Sequence, residues 1–464
     1  MSKPNLLIIH TDEHNFRTLG CYRDLMTEDQ AYVWGPGVKV DTPHIDSLAR
    51  DGALCDSYYS SLPVCSPSRA SFMSGLYPVA TGVRQNDVPL KDGLVTFAEV
   101  LKNQGYATSY LGKWHLDGDA KPGFAPERKF GFEDNRFMFN RGHWKQLGEK
   151  ENGTPYVAAT NQDGEPVSKV DGANEKSFTT DWLTDRTLAV IERDQDKPFC
   201  IMVSIPDPHG PNTVRAPYDT MYQDLNFQNP KTMDYPLEKM PKWCRVGRDN
   251  NTAHELDQGQ MQRYFGMVKC IDDNVGRMLA DLKAKGLEQN TIVIFTSDHG
   301  DLMGEHKRHN KGLPYEGSAK VPFVIRWPEK ITAGKVVNTA YTTVDFGPTI
   351  LGIMGIEDQI PDAEGLDDSK VFLSGEDVVN DDRIVYMSSY NLDTVTAINA
   401  RYKLVLSRED VPWLFDLQED PDELVNRYRD PDYKEIAQKF KAELIEQMER
   451  YNEPGLAHGA FIYE

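Results

Sequence analysis

Cys65-Ser66-Pro67-Ser68-Arg69 sets a thiol and a guanidinium four residues apart at the expected start of a helix that continues through Ala70–Ser74. A helix N-terminus carries positive partial charge and favours anions beside it. Arg69 could hold such an anion, or the nucleophile itself. Four other segments carry groups of the kind that hold cations, bind anions or move protons: Asp12-Glu13, Lys113 with His115, His209, and Asp298-His299. Lys113 and His115 are two apart, so on extended chain they share a face. His209 lies in the rigid turn Pro206-Asp207-Pro208-His209-Gly210-Pro211.

Each of these groups follows an apolar run. Leu6–His10, Ala107–Leu111, Phe199–Ser204, Thr291–Thr296 and Val321–Ile325 read as buried strands. Helical patterns alternate with them: a helix opening at Thr42-Pro43, then Val95–Asn103, Ser177–Arg193, Gln258–Lys285 and Thr343–Met354. Strand–helix alternation predicts an α/β fold with a large, mostly parallel sheet sandwiched by helices. Ligands of such sheets gather beyond the carboxyl ends of the strands. Asp12, Lys113, His209 and Asp298 all fall at such ends, so one site built from distant segments is expected. From about residue 360 the pattern changes. Ile384–Met387, Val395–Asn399, Lys403–Leu406 and Trp413–Asp416 read as short strands before a charged helix, Tyr433–Arg450. The expected division is a catalytic domain over 1–360 and an α+β subdomain with an antiparallel sheet over 361–464. The polar stretch Asn135–Gly172 reads as an insertion or rim loop.

Acidic residues outnumber basic ones by 72 to 51, a formal charge of −21. Nucleic-acid binding, which needs a basic surface, is not expected. An anionic substrate would require local positive charge within the site. No run of eighteen apolar residues occurs, so no membrane-spanning helix is expected. The sequence as written shows no signal peptide, which predicts a cytoplasmic protein, or a periplasmic one if a leader has been removed. The six cysteines are scattered, with no CxxC pair, and suggest neither a zinc knuckle nor a disulfide scaffold.

The run Cys65-Ser66-Pro67-Ser68-Arg69-Ala70-Ser71-Phe72-Met73-Ser74-Gly75 resembles the signature of the formylglycine-dependent (type I) sulfatases. Gly105-Tyr106-Ala107-Thr108 through Gly112-Lys113-Trp114-His115 is similar to that family's second signature. Ser297-Asp298-His299-Gly300-Asp301 through Asn310-Lys311-Gly312 is similar to its later metal-and-lysine segment. Leu414-Phe415-Asp416-Leu417 and Asp420-Pro421-Asp422-Glu423 resemble its C-terminal domain. The resemblance spans nearly the whole chain and implies an alkaline-phosphatase-like fold. It implies that a formylglycine-generating maturation enzyme converts Cys65 to Cα-formylglycine. It also implies one divalent metal, Ca²⁺ first with Mg²⁺ or Mn²⁺ as alternatives, held by Asp12, Glu13, residue 65, Asp298 and His299. The hydrated aldehyde would attack sulfur in line. Arg69, Lys113 and the metal would hold the sulfuryl oxygens, with Lys311 and His209 at the leaving alcohol. His115 would remove the proton that lets sulfate depart.

The resemblance points to a sulfated mono- or oligosaccharide substrate. A phosphonate or phosphate ester hydrolase of the same superfamily is the alternative, as is a choline- or aryl-sulfatase. Asn135–Gly172 and Pro211–Asn251 would read the leaving group. They hold Trp144, Trp243, Tyr218, Tyr222 and Tyr235 among Arg141, Lys145, Arg215 and Arg245. Aromatics interleaved with cations suit a sulfated sugar, and loop packing reads the same residues equally well.

Overall fold

A computed structural model describes residues 3–245, 255–375, 382–390, 393–457 and 461–463. Eight strands form the main sheet: Asn5–Asp12 (β1), Ala53–Cys55 (β2), Ala107–Lys113 (β3), Asp134–Phe139 (β4), Phe199–Pro208 (β5), Thr291–Ser297 (β6), Phe323–Arg326 (β7) and Lys335–Val337 (β8). Their order across the sheet is β8-β2-β7-β6-β1-β5-β3-β4. All pairings are parallel except those of β7, which runs antiparallel to both its neighbours.

The central strands are apolar throughout because both sheet faces are covered. In β1, Leu6 and Ile8 face one core while Leu7 and Ile9 face the other, the period-two alternation of a strand. The first core takes Phe72 and Met73 of Cys65–Ser74 (α2), Phe97 and Leu101 of Phe97–Asn103 (α3), and Ile350 of Phe346–Ile353 (α6). The second takes Ile45 and Leu48 of Pro43–Arg50 (α1), Leu183 and Val190 of Thr179–Asp194 (α4), and Ile271, Val275 and Met278 of Gln258–Ala284 (α5).

The C-terminal sheet is an antiparallel meander of Val385–Ser388 (β9), Thr394–Ile398 (β10), Tyr402–Ser407 (β11) and Trp413–Asp416 (β12). Ala437, Phe440, Leu444 and Met448, a helical stripe on Lys434–Arg450 (α7), pack on its Val395, Leu404 and Leu414. Other sheet residues face the rest of the chain: Val405 and Phe415 pack with Trp243 and Tyr315, and Met387 and Ile398 with Tyr59 and Ala319. Lys403 pins the seam. Its buried Nζ donates to Glu316 Oε1, Glu423 Oε1 and the Pro314 carbonyl, each at 2.7 Å.

Two expectations change. Residues 135–139 are not rim loop but most of β4, the sheet's edge strand. Phe137, Met138 and Phe139 are buried, while the polar Asp134-Asn135-Arg136 half hid the strand pattern. The helix expected at Thr343 opens with a 3₁₀ turn, Thr343–Asp345, which a Thr342–Asp345 capping box holds.

Candidate active site

Cys65 is the first residue of α2, and its thiol lies under the carboxyl ends of β1 and β6. Sγ is 3.2 Å from His299 Nε2 and 3.8 Å from Asp12 Oδ1. Burial pushes the thiol up. The Lys113, Lys311 and His299 charges outweigh burial and hold it well below the usual thiol range. His299 Nδ1 donates to the Gly300 carbonyl at 2.9 Å, which turns Nε2 toward the thiol. Burial lowers His299, but Asp298 and the Cys65 charge raise it further, to about 9.

Arg69, one turn along α2, lies beneath the carboxylates. Its Nε donates to Asp298 Oδ2 at 2.8 Å and Nη2 to Asp12 Oδ2 at 3.1 Å. Nη1 reaches the Lys113 carbonyl and Ser204 Oγ, each at 2.8 Å. Burial and the Cys65 charge push the Asp12 carboxyl up. Lys113, His209 and Arg69 more than offset them and leave it well below the usual range. The close approach of β3 and β5 here needs Gly112, because a Cβ on it would lie 1.9 Å from the Ser204 carbonyl oxygen.

Above the carboxylates is a layer of nitrogen groups. Lys113 Nζ pairs with Asp12 Oδ2 and donates to His143 Nε2 at 2.7 Å. The His143 ring stacks on His209, centroids 3.5 Å apart and planes within 6°. Lys311 Nζ donates to His209 Nε2 at 2.7 Å and lies 3.0 Å from Glu13 Oε1. Glu13 Oε2 is 3.0 Å from His209 Nε2. His209 itself is held by Nδ1 donating to the Gly210 carbonyl at 2.8 Å. Under this layer, the buried Lys145 Nζ donates to Asp207 Oδ1 at 2.5 Å, which anchors the turn that carries His209.

His115 closes the other side. Its Nε2 is 2.9 Å from Asp87 Oδ1. Arg141 Nη2 holds the second Asp87 oxygen at 2.7 Å. Asn86, next along the same loop, accepts the Ser66 amide at 3.0 Å. Glu13 and His115 both have left-handed backbone, φ 63° and 62°. Both follow strand ends, and the turn directs their side chains into the site at a cost of about 1–2 kcal/mol each.

The structure thus gathers a thiol, two carboxylates, an imidazole and several cations at the carboxyl ends of the central strands. A profile of the sulfatase family matches residues 4–356.

The chain belongs to the sulfatase family.

A second profile, described as N-sulphoglucosamine sulphohydrolase, C-terminal, matches residues 304–450. An ulvan-active sulfatase of Formosa agariphila is 30% identical over 96% of this chain and 81% of its own. An N-acetylglucosamine-6-O-sulfatase of Bacteroides thetaiotaomicron is 26% identical over 97% of this chain and 86% of its own. The crystal structure of a putative sulfatase of Bacteroides fragilis superposes with a TM-score of 0.77 at 27% identity, covering 97% of each chain. The fold is alkaline-phosphatase-like, and the protein is a sulfuric ester hydrolase.

In this sulfatase the residues picked out from sequence meet in one place, but not all as expected. Asp12, Cys65, Asp298 and His299 bring one donor atom each within 4.8 Å of one another. That donor set, two carboxylates and an imidazole beside position 65, fits a divalent cation. Glu13 is not among them. Its left-handed backbone aims the carboxylate at Lys311 and His209 instead. Arg69 does not face the substrate side, because its guanidinium is buried against Asp12, Asp298, the Lys113 carbonyl and Ser204. The rim aromatics are mostly packing residues. Trp144, Trp243 and Tyr218 are buried, and Lys145 and Arg215 form buried pairs with Asp207 and Asp181. Arg245 is tied to the Met240 and Glu238 carbonyls. Arg141 alone of these keeps an exposed face beside the site. Residues 246–251 of the second rim segment lie outside the described residues. His143, Asp87 and Ser204 were not foreseen, since each is a lone polar residue without a motif.

Proposed function

We propose that this sulfatase hydrolyses the sulfate monoester of a carbohydrate, a mono- or oligosaccharide, with residue 65 as nucleophile. The observation that carries the reading is the packing of Cys65, Asp12, Asp298 and His299 within one cation's reach, with Lys113 and Lys311 beside them. Conversion of Cys65 to formylglycine by a maturation enzyme would give a hydratable aldehyde, whose second hydroxyl offers the sulfuryl group an internal exit. A divalent cation held by Asp12, Asp298, His299 and residue 65 would neutralise ester oxygens and orient the nucleophile.

The chain's own groups do the rest. Arg69 fixes both carboxylates in place. Lys113 and Lys311 supply positive charge to the sulfuryl oxygens, so an acidic protein can accept an anionic ester. Lys311 and His209 meet the leaving alcohol: the Lys311 ammonium gives it a proton, while His209 Nε2 and Glu13 hold that ammonium in place. His115, oriented by Asp87, takes the proton from the hydrate. Arg141, at the mouth, is placed to meet a second anionic group on the sugar. Relatives that act on ulvan or N-acetylglucosamine sulfate support the carbohydrate class.

Matured protein assayed on defined sulfated mono- and oligosaccharides, aryl sulfate, choline sulfate and a phosphonate monoester tests the reading. The highest kcat/KM is expected on a saccharide. A higher value on the phosphonate would replace the proposal with a phosphonate ester hydrolase.

A further inference from the structure

We propose that the chain as encoded, with Cys65 unconverted, is a thiolate-ligated Zn²⁺ site formed by Asp12 Oδ1, Cys65 Sγ, Asp298 Oδ1 and His299 Nε2, and that conversion of Cys65 switches this pocket to a hard, oxygen-seeking cation. The inference rests on the sulfatase reading only in naming Cys65 as the residue converted.

Geometry comes first. The four donors lie within 4.8 Å of one another. The measured edges are 3.2 Å from Sγ to His299 Nε2, 3.8 Å from Sγ to Asp12 Oδ1, 3.9 Å from His299 Nε2 to Asp12 Oδ1, and 3.5 Å to Asp298 Oδ1. A tetrahedral zinc with Zn–S of about 2.3 Å and Zn–N or Zn–O of about 2.0–2.2 Å has edges of about 3.3–3.6 Å. The four measured edges lie within a few tenths of an ångström of that geometry, and the other two fall within 4.8 Å.

The supporting bonds are also those of a built site. His299 Nδ1 donates to the Gly300 carbonyl, so Nε2 is the nitrogen presented. Arg69 and Lys113 occupy Asp12 Oδ2, which leaves its Oδ1 toward the thiol, while Asp298 takes Arg69 on Oδ2 and has Oδ1 fixed by the Glu13 and His299 amides that donate to it. All four ligand residues are buried.

Ligand chemistry then separates the metals. A calcium ion takes six to eight oxygens at about 2.3–2.6 Å. The encoded pocket offers two carboxylate oxygens, one nitrogen and one sulfur, and Glu13 has turned away to Lys311 and His209. Thiolate and imidazole together favour Zn²⁺. Replacing the sulfur by a hydrated aldehyde replaces the soft ligand by oxygen and removes that preference.

The test uses full-length protein made in a host without the maturation enzyme, its thiol verified by intact mass and its metals stripped by chelator. Co²⁺ serves as the spectroscopic stand-in for Zn²⁺. One equivalent is expected to give a sulfur-to-cobalt charge-transfer band with the strong visible bands of a tetrahedral centre. Zn²⁺ should displace it one for one and shield Cys65 from a thiol reagent, whereas Ca²⁺ should not. Cys65→Ser should abolish the charge-transfer band and weaken Zn²⁺ on the order of a hundredfold, with Ca²⁺ affinity changed less than about threefold. A six-coordinate cobalt spectrum without the sulfur band would overturn the proposal. So would shielding of the thiol by Ca²⁺ as good as by Zn²⁺. Shielding is read on the unsubstituted chain, so the test stands even if the serine variant misfolds. No sulfate ester enters the measurement, so this proposal and the sulfatase reading can fail separately.

Discussion

His115 Nε2 stands 2.9 Å from Asp87 Oδ1, and Arg141 grips the other oxygen of that carboxylate at 2.7 Å. The carboxylate fixes which nitrogen of the imidazole carries hydrogen and therefore leaves the buried, unpartnered Nδ1 as the basic one. Asp87→Asn keeps the shape but can present an N–H to Nε2, which would turn the tautomer over. We expect kcat to fall about 10- to 100-fold, with KM changed little. Steady-state kinetics of the matured enzyme check this. A rise in KM at constant kcat would place Asp87 in substrate binding instead.

Arg69 joins the two carboxylates that face the thiol. Arg69→Lys cannot span Asp12 and Asp298 together, so one buried carboxylate loses its partner. The expected cost is about 3–5 kcal/mol in the metal-free protein. Added divalent metal should recover part of it, because the cation supplies the missing charge. Thermal denaturation with chelator and with excess metal measures both numbers. Equal losses in the two conditions would mean that Arg69 does not support the cation pocket.

His143 accepts from Lys113 and stacks on His209. Burial holds its imidazole well below the usual histidine range, so it stays an acceptor. Removing it in His143→Ala leaves Lys113 held by Asp12 alone. A fall in kcat/KM of about tenfold is expected, with the fold unchanged by circular dichroism. Unaltered kinetics would show that the stack plays no part in turnover.

The seam around Lys403 should titrate. Burial and the nearby Glu316 raise Glu423 from 4.5 to about 7, with Lys403 opposing. Burial pushes Glu316 up, but Lys403, Lys320 and Arg17 together outweigh it and leave the carboxyl lowered. A raised carboxyl means that the folded state holds a proton the unfolded chain has released. The stability it contributes is full below about 4.5 and is lost as pH rises through about 7. Glu423→Gln fixes the protonated shape. Between those limits its stability should fall less with pH than the parent's, by about 1–3 kcal/mol. Parallel slopes in urea titrations across that window would contradict this.

Much of this was legible from the chain. Leu6–His10 and Thr291–Thr296 could be read as buried strands because a sheet covered on both faces needs unbroken apolar runs. Their polar successors then had to meet at the strands' carboxyl ends, as Asp12 and Asp298 do. The Cys65–Gly75 run was legible because several residue types recur at fixed offsets. What escaped has physical reasons. Whether a carboxylate turns toward a metal or a lysine depends on backbone such as Glu13's positive φ, which no spacing reveals. Arg69 was expected to face the substrate, but only the packing of α2 under β1 and β6 shows it pointing beneath the carboxylates. The edge strand β4 is half polar, so its alternation was too short to detect. His143 and Asp87 act through contacts made across loops.

The central claim is that residue 65 turns over sulfate esters only after its thiol has been converted. Intact-mass measurement of the Cys65 peptide, paired with sulfate release from a sulfated saccharide in the same preparations, tests it directly. Conversion exchanges sulfur and two hydrogens for one oxygen. Activity should rise in proportion to the fraction carrying that mass change, and Cys65→Ala should have none at any metal concentration. A preparation that holds only free thiol and yet turns over at the full rate would contradict it.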